Sequence, residues 1–444
     1  MYRLAYEDLL SWKNSRHRKP LILEGVRQCG KTFLLKEFGN ANYDNVVYLN
    51  FEGNDELIEI FRPNLDVGRI LSQLAILSRE KIEPGKTLII FDEIQFCSRA
   101  LTSLKYFYEN APEYHIACAG SLLGVLMSRP YSFPVGKVDR IRMGPMSFKE
   151  FLMANGEGEL VKEMDARLPT DPFIKPFTSR LEFHLSMFLT IGGMPAAVMA
   201  WVENRDINEV DSVIDNIIKD YEKDFAKHAT ESVQKLTLIW NSVPEQLTKE
   251  NKKFMFGHVK TGARARDLED ALEWLIDAGL IHKVKSADPS RLPLPLFADS
   301  THFKIYLADV GIFRRMAGLD STFEFGNAEG LEQFKGAIVE NYVLNEMICS
   351  NKEVPFYWRS DGRAEVDFVI QYGGKAIPVE VKSGHRTDSK SLNEYLRKFD
   401  PETAVIISMA AGEDGIIKKM PLYWAWRMQA LFPKAGAKAA SDRI

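Results

Sequence analysis

Eight residues, Gly25-Val26-Arg27-Gln28-Cys29-Gly30-Lys31-Thr32, constrain this 444-residue chain more than any other stretch. They fill the pattern G-x-x-x-x-G-K-[ST], directly after the apolar run Leu21-Ile22-Leu23 and at the start of the helix-forming KTFLLKEF. Glycine at both ends of the loop lets the backbone curl until its N–H groups point at a common centre. The helix that follows adds its positive end. That arrangement suits a polyphosphate: Lys31 would reach the β- and γ-phosphates, and the Thr32 hydroxyl would hold Mg²⁺. A chance glycine turn before a helix is the plainer reading, and the complete motif in its strand–turn–helix setting argues against it. ATP with Mg²⁺ at Gly25–Thr32 is the expectation.

Further apolar runs follow at 46–52 (VVYLNFE), 87–94 (TLIIFDEI), 115–120 (HIACAG) and 138–143 (VDRIRM). Helical patterns such as DVGRILSQLAILSRE and SLKYFYEN separate them. Strands alternating with helices predict a parallel sheet covered by helices, ending near Leu152. In TLIIFDEI the strand brings Asp92 to the Mg²⁺ shell and sets Glu93 to polarise an attacking water as general base. The plainer role for either acid is a cap on the next helix. Ser121, after HIACAG, either orients that water or caps a helix. Arg129, Arg140 and Arg142 are candidates for an arginine near the γ-phosphate, although a solvated surface position suits each of them better.

Beyond Leu152 the pattern changes. Residues 154–173 have the charge, Gly and Pro content of a loop or insertion. From 174 to about 285 the sequence reads as helical, halted once by the glycine pair of IGGMP. The end of that stretch, short helices and then an apolar strand, fits a winged-helix or helix-turn-helix module. A helix, KGAIVENYVLNEMI, opens the last part near Phe334. The length calls for two or three domains, taken as 1–152, 174–300 and 301–433. A net charge of -4 argues against a chain coated in nucleic acid and leaves room for a local basic face. Cys29, Cys97, Cys118 and Cys349 form no C-x-x-C pair, which fits a reducing compartment and gives no zinc motif. The opening MYRLAYEDLLSWK lacks the apolar core of a signal peptide, and no run approaches the roughly 18 apolar residues of a membrane span. A cytoplasmic protein with no membrane partner is expected.

LILEGVRQCGKT, TLIIFDEIQ, CAGSLLGVL and PMSFKEFL together resemble the bacterial and archaeal AAA-like ATPases whose ATPase domain is joined to a C-terminal domain of uncharacterised role. The similarity continues through IGGMPAAV, DYEKDF, KIYLADVGI, VENYVLNE and EVDFVI, and so covers nearly the whole chain. It implies an α/β fold in three parts: a five-stranded parallel P-loop (AAA-like) ATPase sheet, a helical/winged-helix middle region, and a C-terminal restriction-endonuclease-like α/β domain. That family carries a Gly-Arg pair shortly before its PLSFxEF-like segment. Here the place reads Gly136-Lys137, so no arginine finger carries over.

A second site is readable from AEVDFVIQYGGKAIPVEVKSG, residues 364–384. Gly373-Gly374 between alternating apolar residues signals a two-residue hairpin. That register sets Asp367 opposite Glu380 and Glu365 opposite Lys382, all on one face. Opposed carboxylates repel unless a cation lies between them, and hard oxygen ligands suit Mg²⁺. Lys382 could then stabilise charge on a phosphate. This is the D…ExK arrangement of PD-(D/E)XK nucleases. The resemblance implies Asp367 and Glu380 as metal ligands, Lys382 as the catalytic lysine, and Glu340 in KGAIVEN as an accessory ligand. The other reading is a plain Glu365–Lys382 ion pair with Asp367 and Glu380 solvated.

Residues 249–266 hold Lys249, Lys252, Lys253, Lys260, Arg264 and Arg266, either a face for DNA phosphates or simply a solvated one. Taken together, an ATPase whose nucleotide state controls a nuclease-like, DNA-binding domain is the leading expectation. The alternative is an ATP-dependent switch whose nuclease-like domain does not cleave and binds DNA or a protein partner. A homo-oligomer also fits the sequence.

Overall fold

The computed structural model describes residues 1–120, 136–228, 232–250, 252–319 and 332–432. Ser121 and Arg129 lie outside the described residues. The chain divides into two compact units, Met1–Pro145 with Glu273–Leu280, and Met146–Leu272 with Ile281–Ile444. Among the described residues no helix is long and apolar enough to cross a membrane.

The first unit is built on β1 (Leu21–Glu24), β2 (Asn45–Asn50), β3 (Thr87–Asp92), β4 (His115–Ala119) and β5 (Asp139–Arg142). Their order is β2-β3-β4-β1-β5, and every pairing is parallel. Each residue of β1, β3 and β4 is buried, as strands in the middle of a helix-covered parallel sheet must be. VDRIRM does form the fifth strand, at the edge, and its burial alternates. Parallel order makes consecutive strands cross over through helices, among them Lys31–Asn42, Val67–Ser78 and Ser98–Asn110. This is the P-loop α/β fold, and it brings the ends of β1 and β3 to the same edge of the sheet.

The second unit begins with helices, including Phe148–Ala154, Lys175–Ile191, Ile207–His228 and Val233–Leu247. Residues 158–166, part of the stretch read as a loop or insertion, form a helix. Leu160, Val161 and Met164 supply the buried stripe at helical spacing, and that stripe outweighs the charged residues around it. Then comes a mixed sheet of β6 (Ile281–Ala287), β7 (Ala298–Leu307), β8 (Phe356–Arg359), β9 (Glu365–Tyr372), β10 (Lys375–Val381), β11 (Ala404–Ser408), β12 (Gly412–Asp414) and β13 (Ile417–Pro421). Its order is β12-β13-β11-β10-β9-β8-β6-β7. β6 and β7 are an antiparallel pair after short helices, and the Ser286–Tyr357 bridge carries that pair into the larger sheet.

Glycine shapes this unit where chains cross closely. Gly192 ends the helix Lys175–Ile191 with φ 78°. A Cβ on Gly193 would lie 2.1 Å from the Met146 carbonyl oxygen. Asp309 ties this crossing down by accepting from the backbone N–H groups of Gly193 (2.6 Å) and Ile312 (2.9 Å). Gly193→Ala is therefore expected to destabilise the protein by about 2–3 kcal/mol. Gly257→Ala, with open space at the Cβ position, should be neutral within about 0.5 kcal/mol or mildly stabilising. Urea midpoints of the two variants check the contrast.

Glu346, on the helix Glu332–Asn351, accepts from Phe148 N–H at 2.8 Å through Oε1. Its Oε2 is buried with no hydrogen-bond partner among the described residues. Burial pushes the carboxyl up to about 8, helped by nearby Glu150 and opposed by the Phe148 bond. An unfolded glutamate titrates near about 4.3, so the folded chain holds the extra proton across the window from there to 8. Stability should fall as pH rises through that window. Glu346→Gln keeps the acceptor for Phe148 and should flatten the fall. A pH series of urea midpoints with the same slope in both proteins would contradict this.

Candidate functional site

The phosphate loop sits at the end of β1. Gly25 has φ 155° and Gly30 φ 92°. A Cβ on Gly25 would lie 1.9 Å from the Met143 carbonyl oxygen, so the loop is seated against the end of β5. Arg3 fixes it from beneath, donating to the Cys29 carbonyl (2.6 Å) and to the Gly144 carbonyl (2.7 Å). Cys29 Sγ lies 3.4 Å from the Met143 oxygen. Lys31 is 7% exposed and its Nζ donates to the carbonyls of Gly25 and Val26, both at 2.8 Å. The lysine thus crosses the loop that it would serve, and phosphate oxygens are stronger acceptors for an ammonium than those carbonyls.

Thr32 and Asp92 meet: the hydroxyl donates to the carboxylate at 3.0 and 3.2 Å. Asp92 is 5% exposed. A hydroxyl beside a carboxylate, next to a phosphate cradle, is the donor set that suits Mg²⁺. Glu93 follows with φ 49°, in the left-handed region, at the N-cap position of the short turn Ile94–Phe96, where its side chain makes no capping hydrogen bond. Gln95 Nε2 donates to its Oε2. The Glu93 backbone N–H donates to Asp92 Oδ1 at 3.1 Å. Arg140 and Arg142 on β5 face Glu24 at 3.5 and 3.6 Å. Burial pushes the Glu24 carboxyl up, and the two arginines oppose that.

Sequence reasoning missed Tyr48 and Arg3. Tyr48, on β2, donates its hydroxyl to Asp92 Oδ2 at 2.8 Å. Burial and the neighbouring Asp92 raise its pKa, so it stays a donor. Lys36 Nζ lies 3.4 Å from the centre of its ring. The available signal was positional: β2 neighbours β3, and Tyr48 stands near its C-terminal end.

In the second unit the hairpin register is the expected one. φ is positive at both Gly373 and Gly374, and pairing runs from Lys375–Tyr372 to Val379–Phe368. Continued by one step it sets Asp367 across from Glu380. The Glu365–Lys382 ion pair does not form. Beyond Val379 the strand turns to β11, with Lys382 N–H donating to Ile407 O at 2.8 Å, and Lys382 Nζ takes Glu380 Oε1 at 2.7 Å. Glu365 is drawn instead to Lys304 of β7, at 2.6 Å.

Asp367 Oδ2 accepts from Val381 N–H (2.8 Å), and Ser389 Oγ donates to Glu380 Oε1 (2.8 Å). Glu380 is 4% exposed, and its Oε2 has no hydrogen-bond partner among the described residues. Burial, then repulsion from Glu340 and Glu380, holds the Asp367 carboxyl well above the usual range. Glu340 stands apart from this pair in its partners. Lys304 lies at 3.2 Å, Tyr306 OH donates to the same oxygen, and Lys252 takes the other. Burial favours the neutral acid at Glu340, but Lys252 and Lys304 outweigh it and push the carboxyl down. Among the described residues no group of three or more His, Cys, Asp or Glu side chains is arranged to hold a metal ion. Glu380 Oε2 is left without a partner among the described residues, whereas both oxygens of Glu340 take lysine.

Asn341 explains why Glu340 faces β7: it exchanges hydrogen bonds with both backbone groups of Leu307, at 2.9 and 2.7 Å. Lys304 and Tyr306, missed in the sequence, alternate with Phe303, Ile305 and Leu307 on that strand. A lysine inside an apolar strand was the signal. In the basic stretch Lys249 pairs with Glu245 at 2.7 Å and Lys252 with Glu340, so these two do not form a free cationic face.

Residues 17–152 match the family model of an AAA domain. They form an AAA-like P-loop ATPase domain, whose general kind uses ATP with Mg²⁺. Residues 182–322 and 335–424 match two domains of unknown function, DUF8612 and DUF4143. An uncharacterised protein of Haemophilus influenzae is 24% identical over 409 residues, covering 86% of this chain and 88% of its own length. An uncharacterised protein of Mycobacterium tuberculosis is 30% identical over 95 residues, 21% of this chain and 20% of its own length. AMPPCP-bound DnaA from Aquifex aeolicus is similar in structure at 13% identity, with TM-score 0.25, over 62% of this chain and 88% of that one.

Within the ATPase domain, Tyr48→Phe removes one bond to Asp92 and leaves the phosphate loop untouched. Steady-state ATP hydrolysis should fall about tenfold while nucleotide affinity stays nearly constant. An unchanged rate would remove Tyr48 from the site.

Proposed function

We propose that this protein hydrolyses ATP and that its nucleotide state controls a nuclease-like, DNA-binding C-terminal domain. The observation that carries the reading is the Thr32–Asp92 contact at the end of β3, 3.0 Å long, beside a complete phosphate loop. In this reading Lys31 leaves the Gly25 and Val26 carbonyls to neutralise the β- and γ-phosphates. Thr32 and Asp92 hold Mg²⁺, with Tyr48 orienting Asp92. Bound Mg²⁺ supplies charge stabilisation on the phosphates. Glu93 accepts the proton of the attacking water, and Gln95 holds its carboxylate.

Control has a route along the chain. The segment Glu273–Leu280 belongs to the first unit, where a Cβ on Gly279 would lie 3.5 Å from Val26 N of the phosphate loop. Its next residue begins β6. The residues that lead into β6 thus lie beside the phosphate loop, within the first unit.

In the C-terminal domain Asp367 and Glu380 would hold a divalent cation, and Lys382 would stabilise negative charge on a DNA phosphate. A second reading, a switch that binds DNA or a protein partner without cleaving, is favoured by one feature: lysines already occupy Glu340. Lys31→Ala should lower ATP hydrolysis by at least about 100-fold under both readings. Mg²⁺-dependent cleavage of linear, nicked or branched DNA, with and without ATP, separates them. The first reading expects cleavage that Asp367→Ala and Lys382→Ala each remove. DNA binding with no cleavage under any of these conditions would leave only the second.

A further inference from the structure

The cluster around Glu340 contains its own cations. Four carboxylates gather there (Glu340, Glu365, Asp367, Glu380) with three ammonium groups (Lys252, Lys304, Lys382). The pairing is uneven. Lys304 is 0% exposed and bridges Glu340 at 3.2 Å and Glu365 at 2.6 Å. Lys382 serves one oxygen of Glu380. Lys252 serves Glu340 Oε2, and Tyr306 adds a hydroxyl to Oε1. The oxygens with the fewest partners are Glu380 Oε2, which has none among the described residues, and those of Asp367, where Oδ2 accepts from the Val381 N–H.

Lys252 comes from outside the strands, on a short strap. Phe254 N–H donates to Phe303 O at 2.9 Å, and the two rings stack at 5.7 Å. Met255 N–H donates to Gln246 Oε1 at 2.7 Å. These contacts deliver the Lys252 side chain, 21% exposed, to a carboxylate that is 3% exposed. An ammonium in that place carries one charge and three donors, and it excludes a second ion from the same oxygens.

We propose that the C-terminal site takes a single divalent cation, at Asp367 and Glu380, and that Lys252 with Lys304 occupies at Glu340 the place of a second one. Glu340 is then a counter-charge and not a metal ligand. Lys304 cannot leave without stranding a buried charge between Glu340 and Glu365. Lys252, partly exposed on its strap, can. It is the residue that sets how many ions the site accepts. The proposal rests on the metal-site reading given above.

Mn²⁺ binding to the nucleotide-free full-length protein tests it, with bound ions counted by electron paramagnetic resonance above the Asp367→Ala background. Wild type should bind one ion. Glu340→Gln should still bind one, with affinity lowered by no more than about 10- to 100-fold, as for a partner outside the metal's own ligands. Lys252→Met should admit a second, spin-coupled ion, and Lys252→Arg should not. Thermal melts establish that each variant is folded. Two ions in wild type, loss of binding in Glu340→Gln, or a single ion in folded Lys252→Met would each overturn the proposal while leaving a metal site in place. No Mn²⁺ above background in wild type or in either Lys252 variant would instead remove the metal-site reading, and the proposal with it.

Discussion

A charge taken out of water has to be answered by another polar group within reach, and both candidate sites are organised by that requirement. Asp92, at the end of a fully buried strand, is answered by the hydroxyls of Thr32 and Tyr48. Glu340, on a buried helix face, is answered by two ammonium groups and a phenol. Asp367 and one oxygen of Glu380 are answered least. Where answering groups are neutral hydroxyls, a cation can still be added. Where they are lysines, the position is filled. This difference separates an expected Mg²⁺ position in the first unit from a more restricted one in the second.

The legible parts of the sequence were those fixed by local rules. The phosphate loop is one strand, one turn and one helix, and its pattern carries its geometry with it. The three central strands of the first sheet, β1, β3 and β4, announced themselves as apolar runs because a helix-covered parallel strand has no wet side. The β9–β10 register was readable because two glycines with positive φ leave only one hairpin alignment.

What the sequence hid was long-range. Lys304 meets Glu340 and Lys252 meets the same residue, 36 and 88 positions away along the chain. Tyr48 reaches Asp92 across 44 positions. Local patterns carry no record of such pairings. The hairpin shows the limit well: its register predicted who stands opposite whom, yet Lys382 turned to Glu380 beside it, and Glu365 to a lysine three strands further on. The helix Gly158–Ala166 was hidden for another reason, since three buried residues among many charges give a weak stripe.

In the proposed function, nucleotide at the phosphate loop changes what the C-terminal domain does. It follows that DNA affinity and nucleotide identity are thermodynamically linked. The direct measurement is the fluorescence anisotropy of a short labelled DNA duplex titrated with the full-length protein, once with a non-hydrolysable ATP analogue and once with ADP. The dissociation constants should differ at least about fivefold, and the difference should disappear in Lys31→Ala. Equal affinities in the two nucleotide states, with both nucleotides shown to be bound, would contradict the proposed function.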